Sequence, residues 1–127
     1  MYHLLLVCLG GLLGGVARFL VSGLVARTVG ETFPWGTMVV NISGSFVIGI
    51  LAAVVQAHDL PALWAFAGTG FLGCYTTVSS FSLQTLALAR EGEWVRAGGN
   101  VLLSVAVCLG AVALGLAASS AFAGGAG

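Results

Sequence analysis

The sequence predicts an all-α membrane protein of four transmembrane helices, and three observations lead there. Of 127 residues 59% are apolar and 6% are charged, with a mean hydropathy of +1.11. Eight charged side chains cannot clothe a water-soluble surface. The charges and the two prolines cut the chain into four apolar stretches, each at least the roughly 20 residues a helix needs to cross a ~30 Å hydrocarbon core. Trp35, Trp64 and Trp94 fall at the ends of these stretches, where interfacial aromatics belong. The interruptions are short, so residues 1–127 read as one domain without a linker or soluble module.

The first span runs from Tyr2 to Ala26 and is broken only by His3 and Arg18. It is too long for the apolar core of a cleaved leader and lacks a small-residue cleavage site, so it reads as a span. Gly10, Gly11, Gly14 and Gly15 make two overlapping small-xxx-small pairs, a pattern that lets helices approach closely in lipid. The second span, Trp35 to Ala57, has no charge and carries Thr37, Asn41 and Ser45 at i, i+4 and i+8, on one face. The fourth, Ala97 to about Phe122, repeats the device with Asn100, Ser104 and Cys108.

The third span, Ala62 to Ala89, is anomalous. As one helix it would reach about 42 Å at 1.5 Å per residue, more than a bilayer needs. Its middle, from Gly70 to Ser82, mixes glycines, β-branched residues and a run of hydroxyls, a poor helix interior. We therefore expect a break near Gly73 to Ser79, at the membrane midplane. Non-helical backbone at that depth survives only against protein or a water-filled cavity, and such breaks commonly build ion sites.

Composition also excludes function classes. The formal net charge is zero and no Lys or Arg cluster exists, so no nucleic-acid footprint is present. Cys8, Cys74 and Cys108 are far apart, show no metal or redox spacing and read as small buried hydrophobes. Glu31, Asp59, Glu91 and Glu93 all fall in connections or at span ends, which leaves no intramembrane carboxylate to carry protons. Arg18, the only formal charge well inside a span, reads as a structural arginine bonding carbonyls or reaching for the interface. A polar lining without ionisable groups suits passive conduction, in which amide and hydroxyl donors replace part of an anion's hydration yet release it. No catalytic residue is required, so an enzyme is not expected.

Three segments carry a resemblance: Gly11 to Arg18, Pro34 to Gly44 and Gly70 to Phe81. Their glycine, threonine, asparagine and serine spacings, Gly-Thr-x-x-x-Asn-x-x-Gly and Gly-x-x-Thr-Thr-x-Ser-x-Phe, closely resemble the Fluc (CrcB-type) fluoride channels over nearly the whole chain. The resemblance implies a fluoride-selective channel that exports cytoplasmic fluoride passively across the bacterial inner membrane, as a multi-pass protein. It implies an antiparallel, dual-topology homodimer with two pores and a structural, untransported sodium ion held by the backbone carbonyls of Gly73 and Thr76. The implied pore residues are Asn41, Thr37, Ser80, Ser104 and Phe81, whose ring edge can face an anion without a full charge. Val78 stands where the family has a first phenylalanine, Cys108 where a serine is common, and Gln84 where a glutamate is familiar. A small multidrug-resistance-type proton-coupled transporter is the alternative of similar size. It should carry a carboxylate in its first helix, and Tyr2 to Ala26 has none.

Arg27, Arg90 and Arg96 fall in connections on one side of the predicted bundle, and the opposite connections carry no Lys or Arg. A positive-inside count thus favours one orientation by three residues, against the resemblance. With so small an excess, insertion in both orientations is expected.

Overall fold

A computed structural model describes residues 2–30 and 33–126, with side chains to residue 121. Glu31 and Thr32 of the first connection, and the chain's terminal residues, lie outside the described residues. Every element is helical: α1 (Tyr2–Val29), α2 (Trp35–His58), α3 (Pro61–Leu63), a π-helical segment (Trp64–Leu72), α4 (Gly73–Tyr75), α5 (Ser79–Arg90) and α6 (Trp94–Ala126). Among the described residues three helices are individually long and apolar enough to cross a membrane: Tyr2–Val29, Trp35–His58 and Trp94–Ala121. The flanking residues expected to be interfacial extend them, so α1 continues past Ala26 to Val29 and α6 starts at Trp94, ahead of Ala97.

The chain turns with local devices. Gly30, at φ 93°, ends α1 and donates its N–H to Ala26 O at 2.9 Å. Asp59, at φ 52°, caps α2 by donating to Val55 O, and Pro61 then opens α3, where a missing N–H costs nothing. Gly92, at φ 79°, turns the chain into α6.

Packing joins α2 to α6 and α1 to the π segment, with α5 laid on α6. Only Gly10 and Gly14 of α1 are buried, and a Cβ on either would collide with the carbonyl oxygens of Phe66 and Phe71 respectively. One α turn of glycines thus faces two carbonyls five residues apart, the hydrogen-bond spacing of a π helix. Of the two expected pairs, Gly10 and Gly14 make the seam, while a Cβ at Gly15 would meet nothing. Val40 and Asn100 are the largest fully buried side chains. Leu5, Leu12, Phe19, Leu102 and Leu109 point outward, a surface that suits lipid. Cys8 and Cys74 are exposed on that surface, contrary to the buried positions expected of them, because an apolar residue needs no burial when its solvent is hydrocarbon.

Candidate functional site

Helical hydrogen bonding ends with the Thr76 N–H, which donates to Leu72 O at 3.0 Å. Thr76 is extended, at φ −80° and ψ 159°, and α5 begins at Ser79. What holds the chain there is Asn41, whose amide bonds the backbone of Thr77 twice. The Thr77 N–H donates to Asn41 Oδ1 at 2.8 Å, and Asn41 Nδ2 donates to Thr77 O at 2.9 Å. Ser80 N–H in turn donates to Thr77 Oγ1 at 3.2 Å. In an unbroken helix the amides of Thr77 and Ser80 would bond the carbonyls four residues back, Gly73 and Thr76. Both amides are diverted, so those two carbonyls are released from the helix. Gly44, one turn beyond Asn41, leaves room for the extended Thr76, since a Cβ there would collide with the Thr76 methyl.

Two cavities meet at Thr77. An inner one of about 240 Å³ is lined by Arg18, Thr37, Val40, Thr77 and Ser80, among others. The second, about 330 Å³, is lined by Asn41, Ser45, Gly73, Thr76, Thr77, Val78 and Cys108, among others. Among the described residues neither has a carboxylate in its wall. Half-buried Arg18 is the only formal charge in either, and its guanidinium makes no hydrogen bond to a carbonyl among the described residues.

Of the predicted site residues, Thr37, Ser80 and Arg18 gather at the inner cavity, and Asn41, Val78, Cys108, Gly73 and Thr76 at the other. Val78 is 76% exposed, so this side of the site opens on the molecular surface. Phe81 and Ser104 line neither cavity. Ser104 is buried and donates to Asn100 Oδ1 at 3.4 Å; Asn100 Nδ2 donates to Thr85 Oγ1 at 2.8 Å; and Thr85 donates to Phe81 O at 2.7 Å. The upper part of the α6 stripe is thus joined by hydrogen bonds to the backbone that carries Phe81.

Sequence reasoning missed three features. Thr77 was read only as part of a hydroxyl run, although its backbone donates one bond to the Asn41 amide and accepts the other. The π segment had no signal beyond its glycines, Gly68 and Gly70. Thr85, the partner of Asn100, could have been sought as the hydroxyl one turn from Phe81 that faces the fourth span.

Comparison with known proteins bears on this arrangement. The model of a family described as CrcB-like protein, Camphor Resistance (CrcB), matches residues 5–116. A protein of Rhodopseudomonas palustris (strain BisB18) named fluoride-specific ion channel FluC 2 is 59% identical over 120 residues, covering 91% of this chain and 92% of that one. A second protein of that name, from Bradyrhizobium diazoefficiens, is 58% identical over 113 residues, with 86% and 82% covered. A fluoride-specific ion channel FluC of Opitutus terrae is 56% identical over 115 residues, covering 87% of each.

Proposed function

This chain belongs to the CrcB-like family, and on that premise we propose that it is one subunit of a passive, fluoride-selective ion channel. It is an integral membrane protein and not an enzyme. The observation that carries the proposal is the pair of cavities meeting at Thr77, whose described walls hold hydroxyls and an amide and no carboxylate, in a chain so similar to proteins named for fluoride. Fluoride is small and strongly hydrated. A path for it must offer hydrogen-bond donors in place of water, and must hold the ion weakly enough to let it go. Thr37, Ser80 and the second N–H of the Asn41 amide can supply such donors, and Arg18 supplies a positive field beside them without closing on the ion. The described walls of both cavities hold no intramembrane carboxylate, which a proton-coupled transporter needs.

In this reading residues 1–127 form one domain of four spans in the bacterial inner membrane, the third span (α3 to α5) broken at the midplane by Thr76 to Val78. Two copies assemble antiparallel, in dual topology, and the exposed face at Val78 is where the second copy completes each pore. Phe81, which lines neither cavity of the single chain, would bring its ring edge to the path only in the assembled dimer. Cys108 continues the polar track, Ser104 stands behind it on Asn100, and Val78 supplies bulk without a quadrupole.

A structural sodium ion fits the released carbonyls. Gly73 and Thr76 present backbone oxygens whose helical donors have gone elsewhere. Unwound carbonyls of this kind are the donors that suit a hard monovalent cation in a membrane. Sodium bound there would supply positive charge between the two breaks. The protein's part is to keep the carbonyls pointed away from a helix, which Asn41 does through Thr77.

The biological use follows from weak-acid chemistry. Hydrogen fluoride crosses membranes neutral and ionises inside a more alkaline cell, so an anion pore lets fluoride leave down its own gradient. Proteoliposomes loaded with fluoride test the proposal: a fluoride electrode should register efflux once a counter-ion pathway opens, with chloride retained. Equal fluoride and chloride rates, or proton-coupled drug uptake instead, would overturn it.

A further inference from the structure

Hydroxyls on these helices often turn back to the carbonyl one turn earlier. Ser22 donates to Arg18 O at 2.7 Å, Thr28 to Leu24 O at 2.8 Å and Thr76 to Leu72 O at 3.0 Å. Ser45, half-buried in the middle of α2, does not: among the described residues its hydroxyl has no hydrogen-bond partner. It lines the cavity of about 330 Å³, whose wall is drawn from the middles of α2, the third span and α6. The other oxygen-bearing side chains of that wall are engaged. Thr76 is bonded as above, Asn41 holds the Thr77 backbone, and Thr77 Oγ1 pairs with Ser79 Oγ at 3.3 Å while accepting the Ser80 N–H. The second Asn41 N–H, the Ser45 hydroxyl and the Cys108 thiol are left as unpartnered side-chain donors in the described wall, and a thiol donates weakly.

We propose that Ser45 is a further donor to the permeating anion, the step after Asn41 along α2. The proposal rests on the fluoride-channel reading and extends its path by one side chain. A hydroxyl taken from water and given no partner costs free energy, which a small ion or water in the cavity would offset. Residues four apart on a helix share a face and lie about 6 Å apart along the axis, so Thr37, Asn41 and Ser45 make rungs at that spacing. An anion moving along them gains the next donor as it leaves the last. The cavity's next α2 residue is Ile48, which has no donor, so the Ser45 hydroxyl ends the ladder. Gly73 and Thr76 line the same cavity, and a hydroxyl oxygen can also ligate a cation; the test separates the two uses.

The test is fluoride efflux from proteoliposomes together with thermal unfolding in detergent, for the wild type, Ser45→Ala, Ser45→Thr and Ser43→Ala. Ser45→Ala should slow efflux about tenfold, the worth of one hydrogen bond to a charged partner. It should not lower the thermal midpoint, because the hydroxyl holds nothing in the fold. Ser45→Thr, which keeps the hydroxyl, should recover most of the loss. Ser43 bonds Val40 O at 3.1 Å and Tyr75 Oη at 3.0 Å, so Ser43→Ala should lower the midpoint and spare efflux. Ser45→Ala conducting like the wild type would overturn the proposal and leave the channel reading standing. So would a loss that threonine does not recover, that comes with a lower midpoint, or that Ser43→Ala equals. Exchange of sodium for a large organic cation should inactivate Ser45→Ala no faster than the wild type; faster inactivation would assign the hydroxyl to the cation and overturn the proposal. A wild-type protein that passes no fluoride would remove the channel reading, and the role of Ser45 with it.

Discussion

Replacing Asn41 by alanine and by aspartate perturbs two different things at one position. Alanine removes both bonds to Thr77, a residue only 8% exposed, and strands its N–H and C=O. A buried backbone group left unpaired costs about 1–3 kcal/mol. Thr77 lines two cavities through which water can reach it, so the lower end applies and about 2 kcal/mol in total is expected for Asn41→Ala. Aspartate keeps an acceptor for the Thr77 N–H and loses only the donor to Thr77 O, for a cost of about 1 kcal/mol. In conduction the order reverses. A carboxylate about 5 Å from a passing anion, at an effective dielectric constant of about 20, opposes it by about 3 kcal/mol, or roughly two orders of magnitude in flux. Alanine removes one donor and adds no charge, so its loss should stay within about tenfold. Thermal unfolding in detergent and fluoride efflux from liposomes, measured on both variants, should give opposite rankings. Asn41→Asp conducting like the wild type would refute passage of the anion beside residue 41. Asn41→Ala as stable as the wild type would refute the clamp.

Four further outcomes are expected. Phe81→Ala should reduce fluoride flux far more than Val78→Phe, which should stay within about tenfold, a barrier change of about 1.4 kcal/mol; the opposite ranking would show the two positions wrongly assigned. Exchange of sodium for a large organic cation should inactivate the protein slowly, and full activity after exhaustive removal would count decisively against the Gly73 and Thr76 site. Cysteine labelling from each side, in a background without Cys8, Cys74 and Cys108, should find chains in both orientations; if all faced one way, the excess of Arg27, Arg90 and Arg96 would have prevailed and an oppositely oriented partner would be needed. Gly14→Ala should lower the thermal midpoint by the equivalent of about 1–3 kcal/mol, because its methyl meets the Phe71 carbonyl, while Gly15→Ala should be near neutral.

Hydropathy made the long helices legible, because span length and the positions of Arg, Glu and Pro are one-dimensional properties. Tyr2 and Trp35 were read as the first residues of α1 and α2, and they are. Partnerships were not legible in the same way. Asn41 announced its own cost, since an amide in hydrocarbon must be bonded, but nothing local said that its partner would be the backbone of a residue 36 positions on. Asn100 is similar: its stripe was plain, yet its bond to Thr85 depends on how α5 lies against α6. The glycines of α1 show the same limit from another side. Gly10, Gly11, Gly14 and Gly15 are equivalent as a pattern, and only the position of the π segment decides which pair is used.

The π segment also acts as an angular setting. An α-helix turns about 100° per residue, so adding or removing one residue rotates everything after it by roughly that angle. A stretch that bonds i to i+5 accommodates a residue that an α-helix of the same rise would leave over. If one residue were deleted between Trp64 and Leu72, and the segment relaxed to α, Thr77 would swing out of line with Asn41 with every downstream side chain unaltered. The break would then lose its clamp without any change to the residues that make it. An alignment of relatives should therefore tolerate substitutions along Trp64–Leu72 more readily than a change in its length, and a single-residue gap there should travel with a replacement at Asn41.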